Sequence, residues 1–186
     1  MINLMEEFHK IEDIIEKLIE LDYYCDNRNT TAKLVILGGS GILINLAQNK
    51  AKFRPTKDID IDTITASNWE QFEEALKEAN IHTVGGVIDV PPREDLIDER
   101  NLFKLETDGF TNIEVYVPTL ELLACCKIFS KREKDLNDLR NTDLLVKCNK
   151  NDVLSLVEYY SQYTFAVDDP ELNLHELENI FREKGI

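Results

Sequence analysis

The chain has 186 residues and a formal charge of −15, from 21 Lys plus Arg against 36 Asp plus Glu. That length closes one core over well more than half the unfolded surface, and the charge disfavours nonspecific capture by nucleic acid or an anionic membrane, so a polyanion must be held locally. No stretch approaches the ~20 apolar residues of a membrane span, and the acidic start "MINLMEEFHKIEDIIEKL" is unlike a signal peptide, so a cytoplasmic protein with no membrane partner is expected.

Leu4, Phe8, Ile11, Ile15 and Leu18 recur every three or four residues among charges, which predicts an amphipathic helix ending near Asp22. "KLVILGGSG" reads as a buried strand over Leu34 to Leu37, stopped by Gly38 and Gly39, with Ser40 placed to cap the helix "ILINLAQ". "DIDID" then alternates as a half-buried strand does, with Ile59 and Ile61 on one face and Asp58, Asp60 and Asp62 on the other. Ser67 and Glu70 have the spacing of a capping box for the helix "NWEQFEEALKEAN".

Further strands are expected at "HTVGGVIDV", "NLFKLET" and "NIEVYV", the first two separated by "PPREDLIDER", a proline-rich, charged loop long enough to form a rim or lid. From Pro118 onward "PTLELLACCKIFSK", "EKDLNDLRNTDLLVKC", "NDVLSLVEYYSQYT" and "PELNLHELENIFREKG" give four helical periods. The expected fold is therefore α+β: a mixed sheet flanked by helices over residues 1–117, followed by a helical bundle over 118–186.

Side chains two apart on a strand point the same way, about 6–7 Å apart along the chain, so Asp58 and Asp60 can aim at one point. Such a pair suits a solvated strand face or a divalent cation, and all-oxygen ligands favour Mg²⁺ or Mn²⁺ over zinc. A calcium-binding helix-loop-helix is excluded, because its required glycine would be Thr63 and its closing glutamate Trp69. "GGSG" lacks the spacing of a dinucleotide fold and the lysine of a P-loop. At a helix start, though, it offers free backbone N–H groups and a hydroxyl to an anion.

Positive charge gathers in two islands: Lys50, Lys52, Arg54 and Lys57, and then Lys127, Lys131, Arg132 and Lys134. Asp135 and Asp138 read as helix-surface charges or as partners for Arg132 and Lys131. Cys25, Cys125, Cys126 and Cys148 show no CxxC spacing and are expected to be reduced core thiols. His9, His82 and His175 are scattered, and Trp69, Tyr159 and Tyr160 fall in helical periods where packing is expected rather than base stacking.

"GGSG…(RP)TKDIDID" resembles the GG[ST] turn and DxD pair of the polymerase-β-type nucleotidyltransferase superfamily. "PTLELLACCKIFSKREKDLNDL" resembles the lysine and R-x-KD-x-x-DL segment of bacterial minimal nucleotidyltransferase-like proteins, which include abortive-infection toxins of type IV toxin–antitoxin systems. The matching segments span residues 36–62 and 113–139.

The resemblance implies that Gly38, Gly39 and Ser40 hold the phosphates of an NTP, and that Asp58 and Asp60 carry Mg²⁺ or Mn²⁺. Glu114 matches the third acidic position, on a later strand whose Ile113, Val115 and Val117 would face the core. Lys127 matches the helical lysine and Asp135 the acid that follows it, while Arg54, Lys57 and Arg132 would offset phosphate charge. The implied reaction is attack of an acceptor hydroxyl on the α-phosphate with loss of pyrophosphate, the hydroxyl being activated by Asp60 or Glu114. RNA or protein acceptors, with an antitoxin as partner, are one expectation. A small, antibiotic-type acceptor is a second, and a degenerate fold kept for binding or regulation is a third.

Overall fold

The computed structural model describes residues 7–51, 53–83, 90–162 and 167–186. In chain order it contains α1 (Ile11–Asn27), β1 (Ala32–Leu37), α2 (Gly38–Gln48), β2 (Asp60–Ala66), α3 (Trp69–Glu78) and the short α4 (Arg93–Leu96). A 3-10 turn at Glu99–Asn101 leads to β3 (Leu102–Lys104) and β4 (Ile113–Pro118). Helices follow: α5 (Leu120–Ile128), α6 (Glu133–Asn141), α7 (Leu144–Lys147), α8 (Lys150–Ser161) and, after a 3-10 turn at Asn173–Glu176, α9 (Leu177–Lys184). This is the expected α+β class, a mixed sheet flanked by helices with a helical C-terminal part.

The four strands run in the order β2-β1-β4-β3, with β1 antiparallel to β2 and parallel to β4. Paired residues share a face, so the register sets what each face carries. Ile36 pairs with Ile61, and Leu34 with Val115, giving an apolar face. That face is covered by α2 and α5: an added Cβ on Gly41 would meet Ile36 O at 2.7 Å and Leu123 Cδ1 at 3.2 Å. Leu37 pairs with Asp60, Val35 with Asp62 and Tyr116, and Lys33 with Glu114, so these residues share the opposite face.

The second face is overlain by the segment holding α4 and the 3-10 turn after it. Arg93 forms a two-pronged pair with Asp62, Nε to Oδ2 and Nη2 to Oδ1, both at 2.8 Å, and Lys33 Nζ donates to Glu99 at 2.9 Å. Tyr160 Oη on α8 donates to Asp95 at 2.8 Å. The "PPREDLIDER" loop is thus fastened to the sheet and to the C-terminal helices at three points.

Several boundaries differ from those expected. The first helix starts at Ile11 and runs on to Asn27, because Leu21 and Cys25 continue the buried stripe begun by Ile14 and Leu18. Its expected start reaches into residues outside the described set, as does most of the strand expected at "HTVGGVIDV". Of that stretch Thr83 is described, and it bridges to Ile61. Asn68, not Ser67, caps α3, its Oδ1 accepting from Gln71 N at 3.2 Å. Ser67 Oγ instead accepts from Thr31 N at 2.8 Å, which joins the chain entering β1 to the chain leaving β2. All four cysteines are free; burial pushes the Cys25 and Cys126 thiols up to about 12 and raises those of Cys125 and Cys148 as well.

Asp22, expected at the end of the first helix, is an interior fastening instead. Its Oδ1 accepts backbone N–H bonds from Thr111 (3.0 Å), Asn112 (2.7 Å) and Ile113 (2.9 Å), and its Oδ2 accepts from Thr111 Oγ1 and Asn112 Nδ2. One buried carboxylate therefore satisfies the donors at the entrance to β4 and ties α1 to it. Asp22→Ala strands those donors and should lower unfolding stability by about 2–4 kcal/mol in urea denaturation, with Asp22→Asn less severe because it keeps one acceptor oxygen. A loss below about 0.5 kcal/mol for the alanine variant would contradict this role.

Candidate active site

β1 ends where the chain turns into α2, and Gly38 makes that turn with φ +57°, a left-handed conformation that favours glycine. A second constraint acts there. An added Cβ would lie 2.0 Å from Asp60 Oδ2, so the carboxylate occupies space that any other residue at 38 would fill. At Gly39 an added Cβ would meet Thr56 Oγ1 at 3.2 Å and Arg54 Nη2 at 3.6 Å. The glycine turn, the basic loop and the first residue of β2 are thus in mutual contact.

Ser40 lies within the first turn of α2, whose N-cap is Leu37, so it is not the cap expected from the sequence. It is fully buried, with Oγ donating to Leu37 O at 3.0 Å and accepting from Asp60 N at 3.3 Å. Asp58 lies before β2, not in it. Leu37↔Asp60 is the last pair before β1 turns at Gly38, so residues 58 and 59 have no β1 neighbour.

Asp58 and Asp60 are nevertheless close enough to interact. Burial raises the Asp60 carboxyl above the usual range and the charge of Asp58 raises it further, while Arg132, Lys134 and Lys127 pull the other way. Neither carboxylate has an ion pair or side-chain hydrogen bond among the described residues, whereas Asp62, the third aspartate of the run, is occupied by Arg93. Two like-charged acids held together without partners are a natural seat for a divalent cation.

Glu114 is not brought to this pair. It lies on β4 level with Lys33, four β1 positions from Leu37, or ~13 Å along the strand. It also has its own partners. Tyr116 Oη at 2.9 Å and Lys104 Nζ at 3.2 Å hold its carboxyl below the ordinary range. Among the described residues no group of three or more His, Cys, Asp or Glu side chains is arranged to hold a metal.

The second basic island arrives through the C-terminal helices. Lys127 on α5 is buried, and its Nζ sits 2.7 Å from both Asp135 Oδ1 and Asp138 Oδ2 on α6. Arg54 grips Asp138 through Nε and through Nη2, the latter at 2.7 Å from Oδ2. Asp135 also accepts from Ser130 Oγ and from Arg132 Nε, each at 2.7 Å. Burial works upward on the Asp135 carboxyl, but Lys127, Ser130 and Arg132 together outweigh it and hold the group below its usual range.

Three cations thus share two buried anions, and Arg54 brings this array beside Gly39. Arg132 remains 75% exposed at its side chain and is open to a ligand. Lys57 is exposed in the loop, 4.0 Å from Glu7. Lys131, one of the two partners offered for Asp135 and Asp138, pairs with Asp169. Trp69 is half-exposed and lines a separate cleft with Thr63, Phe72, Leu76 and His82, none of which belongs to the acid pair or its cations.

Thr56 is absent from the residues expected at the site, and Asp138 was expected as a helix-surface charge or an ion-pair partner. The second had a usable signal, since residues 135 and 138 are three apart on a helix and must share a face. Thr56 had none.

Residues 9–184 match a protein family described as "Nucleotidyltransferase of unknown function (DUF6036)". The chain belongs to this nucleotidyltransferase family. Neither a curated protein nor a solved structure matches it. The match runs from before α1 to the last residue of α9, so the nucleotidyltransferase family includes the helices that carry Lys127, Asp135 and Asp138 as well as the sheet.

Lys127→Met removes the cation shared by two buried carboxylates and should cost about 3–5 kcal/mol of stability at neutral pH. The pH dependence has a definite sign. Because the folded Asp135 carboxyl is lowered from 3.8, the stability it contributes is fully present above that value and is lost as pH falls through the lower folded value. The gap between wild type and Lys127→Met should therefore narrow as the solution is acidified below about pH 4, and urea titrations at several pH values would show it. A gap that is constant or grows on acidification would contradict the pairing.

Proposed function

We propose that this chain transfers a nucleoside monophosphate from an NTP to an acceptor hydroxyl, with Mg²⁺ or Mn²⁺ held by Asp58 and Asp60. The observation that carries the reading is the Asp60 carboxylate set against a glycine helix start, with Asp58 near enough to act on its charge, neither acid partnered among the described residues, and Arg54, Lys127 and Arg132 close by. Two carboxylates fit a magnesium site of the kind completed by substrate phosphates and water. When bound, the ion supplies charge neutralisation and Lewis acidity at the phosphates.

The chain's own residues do the remainder. The free N–H groups at Gly38 and Gly39 and the positive end of α2 receive phosphate oxygens. Arg54, Arg132 and Lys57 offset charge on the triphosphate, and Lys127 contributes its field from beneath. Asp60, at the glycine turn, is the candidate to take the proton of the attacking hydroxyl. The hydroxyl oxygen bonds to the α-phosphorus, the bond from that phosphorus to the bridging oxygen breaks, and pyrophosphate leaves.

For the acceptor we favour a hydroxyl on RNA or protein, in keeping with the resemblance to polymerase-β-type and abortive-infection nucleotidyltransferases, and on that basis an antitoxin partner and a cytoplasmic setting. No helix of the described residues is long and apolar enough to cross a membrane. A small cationic acceptor is the second reading, favoured by the net charge of −15.

Incubation with each NTP labelled at the α-phosphate, Mg²⁺ or Mn²⁺, and total RNA, protein or aminoglycosides separates these readings by which fraction takes up label. Asp58→Asn and Asp60→Asn should each reduce transfer by about a hundredfold or more, while Glu114→Gln, remote from the pair, should stay within about threefold of wild type. NTP binding without label transfer to any acceptor would contradict the enzymatic reading.

A further inference from the structure

We infer that Ser40 and Thr56 are positioning residues for the acid pair, two buried hydroxyls that hold the main chain of Asp60 and of Asp58 at the glycine turn. The inference rests on the proposed metal role of that pair. It gives Ser40 a different task from the phosphate contact implied by its place in a GGS turn, and it adds Thr56 to the site.

A serine hydroxyl has one proton. In Ser40 that proton goes to Leu37 O at 3.0 Å, and a lone pair receives the Asp60 N–H at 3.3 Å. With 0% of the residue exposed, no phosphate oxygen reaches the hydroxyl without displacing the turn. What the hydroxyl does join is the last residue of β1 to the first residue of β2, across the turn on which the Asp60 carboxylate rests.

Thr56 does the equivalent for Asp58. Its Oγ1 donates to Asp58 O at 3.0 Å and lies 3.2 Å from the point where a Cβ on Gly39 would stand. The threonine is itself anchored, because its N–H donates to Phe8 O at 3.0 Å and its carbonyl accepts from Phe8 N at 2.7 Å. Asp58 lies outside the sheet ladder, so this hydroxyl supplies a restraint that pairing with β1 does not. Two repelling carboxylates relax apart unless their backbones are fixed, and partners of that kind set metal affinity by orienting the ligands.

The test is Mn²⁺ binding to nucleotide-free protein, followed by water-proton relaxation, for wild type, Ser40→Ala, Thr56→Val and Thr56→Ser, together with amide hydrogen exchange at residue 60 in metal-free protein. Ser40→Ala and Thr56→Val should each weaken Mn²⁺ binding by about tenfold or more, with Thr56→Ser restored to within about twofold of wild type. Exchange at the Asp60 amide should accelerate in Ser40→Ala. Unchanged Mn²⁺ affinity in Ser40→Ala with a raised KM for NTP would make Ser40 a phosphate ligand and overturn its part. Equal affinity of Thr56→Val and wild type would overturn the other. Wild-type protein that binds no Mn²⁺ would refute the metal reading and with it the Thr56 part, while exchange at the Asp60 amide would still decide whether Ser40 restrains that backbone. Should Ser40→Ala fail to fold, the two Thr56 variants decide the Thr56 part, and Ser40→Cys, of similar size with weaker hydrogen bonds, takes the place of Ser40→Ala.

Discussion

The rest of the site depends on a contact between a carboxylate and the absence of a side chain: Asp60 Oδ2 lies 2.0 Å from where a Cβ on residue 38 would be. That closeness brings a half-buried acid to the start of α2, where free N–H groups attract anions. The chain leaves the sheet at residue 38, and the Leu37↔Asp60 pair is the last in the ladder.

Around this contact the charges are arranged in opposition. The acid pair has no cationic partner within hydrogen-bonding distance among the described residues, although Arg132, Lys134 and Lys127 are near enough to lower the Asp60 carboxyl. Asp135 and Asp138 anchor Lys127, Arg54 and Arg132 in one array. Acids free to take a cation thus stand beside bases already oriented, as a ligand carrying both a metal and phosphates requires. The array also joins the two halves of the chain, since Arg54 comes from the loop before β2 and Asp138 from α6.

Much of this was legible in the sequence. The buried run ending in two glycines marked β1 and its turn, and the apolar alternation of "NIEVYV" marked β4. What failed to show were properties that depend on neighbours. "DIDID" alternates from residue 58, but pairing requires a facing strand, and β1 has already turned away. Ser67 and Asn68 were both chemically able to cap α3; the hydroxyl was taken by Thr31. Glu114 lies on the expected strand, yet the strand order puts β1 between it and β2, and no local pattern encodes strand order. The resemblance singled out Lys127 and Asp135, while the burial that turns them and Asp138 into an interior network comes from α5, α6 and the Asn173 turn packing together, Asn173 Nδ2 donating to Lys127 O at 3.0 Å.

The most direct measurement is a crystal structure with Mn²⁺ and a non-hydrolysable NTP, read by anomalous diffraction. The account predicts a manganese peak about 2.0–2.3 Å from carboxylate oxygens of both Asp58 and Asp60, with phosphate oxygens at the start of α2. A peak at Glu114, or a triphosphate bound away from the Gly38–Gly39 turn, would contradict it.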